Sequence, residues 1–402
     1  MSNKRNLGIM FATLVIVMLG FGIIIPILPF YIEQYGGGGM EMGMLLAIFS
    51  LMQLIFSPIW GSLSDRVGRK PMMMVGAAGN AIGMIWMAYA DRYAVLFGAR
   101  MLMGILSSAT LPSVLAYISD STDEKVRGGA MGLWGAAFGL GMMLGPGIGG
   151  SLSTISLQAP FFFAAAASIL AMLVIWFFLP ESLQPPDRTA KGERLRRLSP
   201  REMFGAVSGP VGYLLVLALL QNFALTNFEG IFPLYTQLRY DFDAPTIGLI
   251  LTVDGFIGAV VQGLVTGPAT RRFGDSAVVK GSLLASAVGF LALLTAVNLG
   301  WVLVTSAAFI LANSMLRPGV ASLTSKRTNL GQGATMGLSN SFMALGRILG
   351  PLWAGAALDL DLRYPFLTGA AVMLIAYAAS VRHLRSDDAL KRAQDAAPTG
   401  IS

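Results

Sequence analysis

Cysteine is absent from this chain of 402 residues, and histidine occurs only once, as His383. The lack of cysteine excludes disulfide bonds, thiolate nucleophiles and cysteine-based metal sites. A lone histidine close to the end of the chain argues against a histidine-based zinc site or general base. Charge is also scarce, because Asp, Glu, Lys and Arg together make up 12% of the residues, against about a quarter in ordinary soluble domains.

Hydrophobic residues dominate the composition. They make up 55% of the chain, and the mean hydropathy is +0.67. A soluble protein of this length could not bury so much apolar surface, whereas a lipid bilayer solvates it. The first uncharged run, residues 7–32, is longer than the core of a signal peptide and suits a spanning helix. We therefore expect an integral membrane protein.

Twelve apolar runs are separated by charged residues or by glycine and proline turns. Each run is close to the ~20 residues that an α-helix needs to cross the hydrocarbon. The runs lie at about 7–31, 43–63, 71–90, 94–118, 129–152, 160–179, 211–237, 246–268, 277–297, 300–323, 333–358 and 364–381. The sequence therefore predicts an all-α membrane protein with twelve transmembrane helices.

The distribution of lysine and arginine tests this count of spans. If the N-terminus is cytoplasmic, 22 of the 28 basic residues lie in cytoplasmic segments and three in outer loops, with three more inside spans. This asymmetry is what the positive-inside rule requires. It predicts a protein of the bacterial cytoplasmic membrane with both termini in the cytoplasm. The net charge of +7 then reflects short loops, and we expect no nucleic-acid partner.

The two halves of the sequence resemble each other at an offset near 205 residues. Residues 61–68 align with 267–274, and residues 111–120 align with 317–326, while the strings M-G-L and L-G-P recur in the same order. Four ordered matches at a nearly constant offset indicate a duplicated six-helix unit. Such repeats commonly meet around a substrate site near the middle of the membrane.

The repeat leads to a predicted division of the chain. Two pseudo-symmetric six-helix bundles occupy residues 1–180 and 209–385. The proline-rich and charged stretch at 181–208 is the one long internal connection, which we expect to be a cytoplasmic linker. A cytoplasmic tail follows at 386–402.

The loop between the second and third spans carries the string G-S-L-S-D-R-V-G-R-K-P at 61–71. It resembles the signature loop of the major facilitator superfamily. The resemblance implies that Asp65 and Arg69, with Asp120 at the end of the fourth span, form a conformational latch that holds the two halves in the outward-facing state. The second half has Arg271 where Asp65 stands, so we expect no second copy of the latch.

Two further strings are similar to motifs of the drug:proton antiporter group within this superfamily. Arg100 in L-F-G-A-R-M-L-M-G resembles an arginine that assists proton transfer; a structural ion pair or an anchor at the outer interface is the alternative. The fifth span matches the antiporter motif, which marks exporters, although generic tight packing would also favour small residues. The matching residues are Gly132, Gly141, Gly145, Pro146, Gly149 and Gly150.

Two carboxylates lie within the apolar spans of the second half. Glu229 belongs to N-F-E-G-I-F-P-L-Y, which resembles the seventh helix of Gram-positive multidrug pumps of the quinolone-exporting kind, and Asp254 lies midway along the eighth span. A carboxylate in apolar surroundings tends to take up a proton near neutral pH, as proton exchange requires. The alternatives are a wetted charge at a helix end for Glu229 and a structural partner of Arg317 or Arg347 for Asp254.

Polar and aromatic residues in the spans are candidates for a substrate cavity, with packing between helices as the alternative role. The candidates are Gln53, Asn222, Asn227, Phe228, Phe232, Asn313 and Asn340. The first span lacks the aspartate of tetracycline-type exporters, which argues against a metal–tetracycline substrate.

The resemblance covers nearly the whole chain and implies the major facilitator fold. We expect a proton-coupled antiporter that exports small hydrophobic or cationic compounds by alternating access. We expect no enzymatic activity, cofactor or metal, and a monomer whose partners are substrate, protons and lipid. The alternatives are an exporter or flippase of an amphiphile (a lipid, glycolipid or sugar) and a sensor that does not transport.

Overall fold

Helices form almost all of the computed structural model, which describes residues 2–121, 124–183, 205, 207–209, 211–327 and 332–384. One π-helical turn, Val261–Val265, lies between two of the α-helices. The α-helices are α1 (Ser2–Ile24), α2 (Leu28–Gln34), α3 (Gly39–Val67), α4 (Arg69–Ala88), α5 (Tyr93–Ser107), α6 (Thr110–Ser121), α7 (Glu124–Ser153), α8 (Ala159–Phe178), α9 (Gly212–Tyr240), α10 (Ala244–Val260), α11 (Thr266–Phe273), α12 (Asp275–Leu293), α13 (Leu299–Ser314), α14 (Leu316–Arg327), α15 (Gln332–Leu360) and α16 (Tyr364–His383).

The helices account for the predicted spans. Eleven stretches within the described residues are long and apolar enough to cross a membrane, and each coincides with a predicted span. The fifth predicted span, 129–152, falls in α7, a helix of 30 residues whose side chains are described from residue 135 onward. Helical segments therefore occupy all twelve predicted places.

Four spans are interrupted where the sequence predicted continuous helices. The first divides between α1 and α2, the fourth between α5 and α6, and the tenth between α13 and α14, while the π-helical turn interrupts the eighth. Pro112 and Pro318 each stand third in the helix that follows a break. Proline fits the first turn of a helix but not its interior, which explains why a new helix starts there.

The positions at which equivalent helices start confirm the internal repeat. Helix α4 starts at Arg69 and α12 at Asp275, while α6 starts at Thr110 and α14 at Leu316. Both pairs are separated by 206 residues. The second half therefore repeats the local architecture of the first at an offset within one residue of the predicted value.

The described helices cluster into two compact units. The first contains the described residues among Met1–Arg197, Glu229–Ala259 and Pro351–Leu362, and one of its cores packs Met10, Leu14, Met73, Val114 and Tyr117 together. The second contains the described residues among Leu198–Phe228, Val260–Gly350 and Arg363–Ser402, and one of its cores packs Val211, Leu215, Leu338 and Phe342.

The division into bundles at 1–180 and 209–385 stays a prediction. Most of the predicted linker at 181–208 lies outside the described residues, and so does the whole predicted tail at 386–402.

A glycine with a positive φ angle joins two helices at equivalent points of the halves. Gly68 between α3 and α4 has φ +124°, and Gly274 between α11 and α12 has φ +84°. A residue with a Cβ atom rarely adopts this conformation. These glycines therefore let the chain reverse direction within one residue and start the next helix at once.

We expect Gly274→Ala to lower the free energy of unfolding by about 1–2 kcal/mol, because alanine would be strained at this φ angle. The matched control is Gly281→Ala in α12, where an added Cβ meets no atom within 4 Å and alanine favours the helix. The measurement is thermal unfolding of both variants in detergent. Equal stability of the two variants would contradict the expectation.

Candidate functional site

The predicted latch residues form one ionic cluster where α3 meets α4. Arg69 is the first residue of α4, and its side chain is 10% exposed. Its Nε donates to Asp120 Oδ2 at 3.0 Å, and its Nη1 forms an ion pair with Asp65. The structure therefore brings Asp65, Arg69 and Asp120 together, although Asp65 and Asp120 are 55 residues apart in the sequence. Their role as a latch stays a prediction.

A fourth charged residue, Glu181, completes this cluster and was missed in the sequence. Its Oε1 accepts from the backbone N–H of Arg69 at 2.9 Å, and its Oε2 accepts from that of Lys70 at 3.2 Å. The N-terminal end of a helix carries partial positive charge, so a cation such as Arg69 is unfavourable there. Glu181 supplies the compensating negative charge. The string P-E-S directly after an apolar run was the available signal.

Arg100 is buried within α5, with 1% of its surface exposed. The guanidinium carbon lies 4.8 Å from the ring centroid of Phe49 and 6.0 Å from that of Phe21, and Nε donates to the carbonyl of Leu45 at 3.4 Å. Nη1 has no hydrogen-bond partner among the described residues. Cation–π attraction offsets part of the cost of burying this charge. Such burial does not fit the alternative of a wetted anchor at the interface.

The antiporter-motif glycines of α7 place their backbone directly against α1. A Cβ added at Gly141 would lie 2.4 Å from Met18 Cβ. At Gly149 it would lie 2.3 Å from the carbonyl oxygen of Ile23, and at Gly145 2.8 Å from the Cα of Gly22. These separations are shorter than any normal carbon contact, so larger residues would push the helices apart. The four-residue spacing puts the three glycines on one face.

The same helix has a second close contact, with α10. A Cβ at Gly150 would lie 2.5 Å from the carbonyl oxygen of Ala244, and one at Gly248 would lie 2.4 Å from that of Pro146. Helix α7 is thus held between α1 and α10 by small residues on two faces. The remaining motif residue, Gly132, lies outside the part of α7 whose surroundings are described.

The candidate residues of α9 are mostly buried. The amide nitrogen of Asn222 donates to Ala218 O at 3.0 Å, and that of Asn227 donates to Pro365 O at 2.9 Å, which links α9 to α16. The ring centroids of Phe228 and Phe309 lie 4.6 Å apart. Phe232 is fully buried and Glu229 is half-buried. The contact of Asn227 fits the alternative role of packing between helices.

The other candidates lie on separate helices. Asp254 in α10 is 3% exposed and Asn313 in α13 is 2% exposed, whereas Gln53 is half-buried and Asn340 is exposed. Glu229, Asp254 and Arg100 stand on α9, α10 and α5. Their roles in proton coupling or substrate binding stay predictions.

An aspartate that sequence reasoning missed binds the start of α3. Asp359 near the end of α15 accepts from the backbone N–H of Gly39 at 2.6 Å and from that of Met40 at 2.8 Å. The backbones meet beside it, because a Cβ at Gly43 would lie 2.3 Å from the carbonyl oxygen of Pro351. A carboxylate at this position satisfies N–H groups that the helix itself leaves unpaired and favours the helix dipole.

We expect Asp359→Ala to lower the free energy of unfolding by about 0.5–2 kcal/mol, because two N–H groups at the start of a helix lose their side-chain acceptor. The matched control is Asp361→Ala, an equally exposed aspartate just beyond the end of α15, which should change stability by less than about 0.5 kcal/mol. Thermal unfolding in detergent measures both. Similar losses in both variants would contradict this role for Asp359.

The family model described as "Major Facilitator Superfamily" matches residues 10–262 and 214–401. The chain is 32% identical to Multidrug resistance protein 1 of Bacillus subtilis (strain 168), over 94% of this chain and 96% of that protein. It is 28% identical to the Quinolone resistance protein NorA of Staphylococcus aureus (strain MRSA252), over 92% and 94%.

A solved structure has the same fold. The bacterial homolog to the human lysosomal transporter Spinster, in its inward-facing and unoccupied conformation, superimposes with a TM-score of 0.77 at 16% identity. The match covers 96% of this chain and 98% of that one. The helical architecture, the duplicated halves and the extent of these matches agree, and the chain belongs to the major facilitator superfamily.

Proposed function

We propose that the chain is a proton-coupled antiporter that exports small hydrophobic or cationic compounds from the cell. The observation that carries this proposal is the two-sided glycine contact of α7, in the segment that resembles the antiporter motif. The similarity to two proteins named for multidrug and quinolone resistance extends over more than nine-tenths of the chain and supports it. In this proposal both termini are cytoplasmic, and the substrate, protons and lipid are the partners of a monomer.

Alternating access requires helices that move without losing contact. Helix α7 packs through backbone atoms on α1 and on α10, with Pro146 inside the helix at the same level. Small residues let the helix backbones approach closely, and a proline removes one helical hydrogen bond and permits bending. We assign α7 the role of the helix that keeps its contacts with α1 and α10 while the helices move during the transport cycle.

Proton coupling requires a carboxylate that is charged in one state and neutral in another. Asp254 is almost fully buried, and Glu229 is half-buried within an apolar span. Apolar surroundings make a charged carboxylate costly. Either a bound proton or a bound cation removes this cost by neutralising the group. The two events then exclude each other, and proton entry from outside drives release of the cationic compound. Arg100, buried on α5, assists the proton's transfer.

The charged cluster at the start of α4 acts as the cytoplasmic latch. Arg69 binds Asp65 within its own hairpin and Asp120 at the end of α6, and so ties three helices together at one end. Ionic contacts at a partly wetted site have modest strength, so such a tie can form and break within a transport cycle.

The decisive test is export from vesicles into which the purified chain has been reconstituted. We expect Glu229→Gln and Asp254→Asn each to reduce proton-driven movement of a lipophilic cation such as ethidium to background, because an amide does not take up a proton. The matched control is Asp91→Asn, which removes an aspartate whose side chain is 74% exposed and should transport normally.

Two measurements accompany this test. Proton release is recorded with a pH-sensitive dye against lipophilic cations, quinolones and glycolipids, and release that only glycolipids elicit would favour the amphiphile exporter instead. Wild-type export by both carboxylate variants would remove these groups from the mechanism. Absence of substrate-dependent proton movement for every compound would overturn the proposed function.

A further inference from the structure

A second ionic cluster lies at the start of α12. Asp275 is the first residue of this helix, and its side chain is 9% exposed. Its Oδ2 accepts from Lys326 Nζ at 2.5 Å and from Ser322 Oγ at 2.8 Å. Both donors belong to α14, so the carboxylate joins the start of one helix to the last turns of another.

This cluster occupies the positions of the predicted latch in the other half. Adding 206 to Arg69, the buried centre of the first cluster, leads to Asp275, and adding it to Asp120 leads to Lys326. Each central residue directly follows a glycine with a positive φ angle. The same two helices are thus joined at the same place in both halves.

The positions equivalent to the three residues of the predicted latch carry the opposite charge. Arg69 corresponds to Asp275, Asp120 to Lys326, and Asp65 to Arg271. Comparing residue types led us to expect no second latch, because Arg271 stands where Asp65 does. The structure shows that the ion pair between the helix start and the neighbouring helix recurs with its charges exchanged.

The exchange has an electrostatic consequence for each helix start. In the first half the cation Arg69 stands at the positive end of α4, and Glu181 must bind the free N–H groups there. In the second half Asp275 is itself an anion at the positive end of α12, which the helix dipole favours. The helix start therefore stabilises the Asp275 carboxylate even without Lys326. The contact between Asp275 and the exposed Lys326 can then open while the aspartate stays in place.

We propose that Asp275 and Lys326 are positioning residues of the transport cycle, forming a charge-inverted counterpart of the Asp65–Arg69–Asp120 cluster. The Lys326 side chain is 68% exposed, so water solvates the ammonium group when the contact opens, while Ser322 and the helix start still stabilise the Asp275 carboxylate. The pair holds α12 to α14 in one conformation and releases them in the other. This inference rests on the proposed function, because it assigns a role within alternating access.

Transport measurements provide the first test. We expect Asp275→Asn and Lys326→Gln to slow export, and the double variant to be no slower than the more affected single variant, because both remove one interaction. Lys326→Arg keeps the charge and should export normally. The matched control is Arg272→Gln, an exposed cation on the neighbouring helix α11, which should also leave export unchanged.

A second readout reports conformation directly and requires neither substrate nor a proton gradient. The chain contains no cysteine, so Met336→Cys, at an exposed position of α15, introduces a single thiol outside the candidate cavity residues. The rate at which a membrane-impermeant thiol reagent labels it from each side of the membrane reports the balance of conformations. We expect Lys326→Gln to change the ratio of the two rates about fivefold, the factor that corresponds to one modest interaction, while Lys326→Arg restores it.

The outcomes separate this inference from the proposed function. An altered labelling ratio in Lys326→Gln supports the pair as a positioning device even if no tested compound is exported. An unaltered ratio, with export by Lys326→Gln equal to that of Arg272→Gln, overturns it. Lys326 is an exposed side chain, so this variant keeps the test valid if Asp275→Asn fails to fold.

Discussion

Direct contact between helix backbones is the constraint on which this architecture depends. Lipid is as apolar as the side chains that face it, so the hydrophobic effect cannot hold membrane helices together, and close van der Waals packing must do so. Gly141, Gly145 and Gly149 meet α1 on one face of α7, and Gly150 meets α10 on another. On α3, Gly43 makes a similar approach to Pro351. Small residues at these points determine which helices are neighbours.

Charges complement this packing at the ends of helices. Every carboxylate cluster that we describe stands beside backbone N–H groups or at the first residue of a helix, where the dipole favours an anion. Asp359 binds the start of α3, Glu181 binds the start of α4, and Asp275 begins α12. The ion pair of Asp275 therefore stands where the backbone favours its anion, whereas the ion pairs of Arg69 stand where Glu181 compensates an unfavourable cation.

The sequence predicted the spans and the repeat, because these depend on patterns that are local or that recur along the chain. The grouping of Arg69 with Asp120 was instead implied by the resemblance to the family's signature loop. The interruption at Ser108 and Ala109 was missed although Pro112 favours a helix start just after it, and the π-helical turn at 261–265 was missed because it contains no proline to mark it. Glu181 and Asp359 were missed for another reason. Their partners are backbone N–H groups far away in the sequence, and no residue type marks such a partner. The inverted cluster at Asp275 was missed because the two halves were compared by residue type. An ion pair still forms when both of its charges are exchanged, but such a comparison then finds no match.

The two fixed ends of α3 have a mechanical consequence. The helix is 29 residues long, or about 43 Å at 1.5 Å per residue, with Asp359 bound at its start and the Asp65 ion pair in its last turn. A rod held at both ends transmits a displacement from one end to the other unless it flexes. Pro58 lies inside the helix, about two-thirds of the way along. The bending stiffness of α3 at Pro58 therefore determines how much of a displacement of one end of the helix reaches its other end, at the opposite face of the membrane.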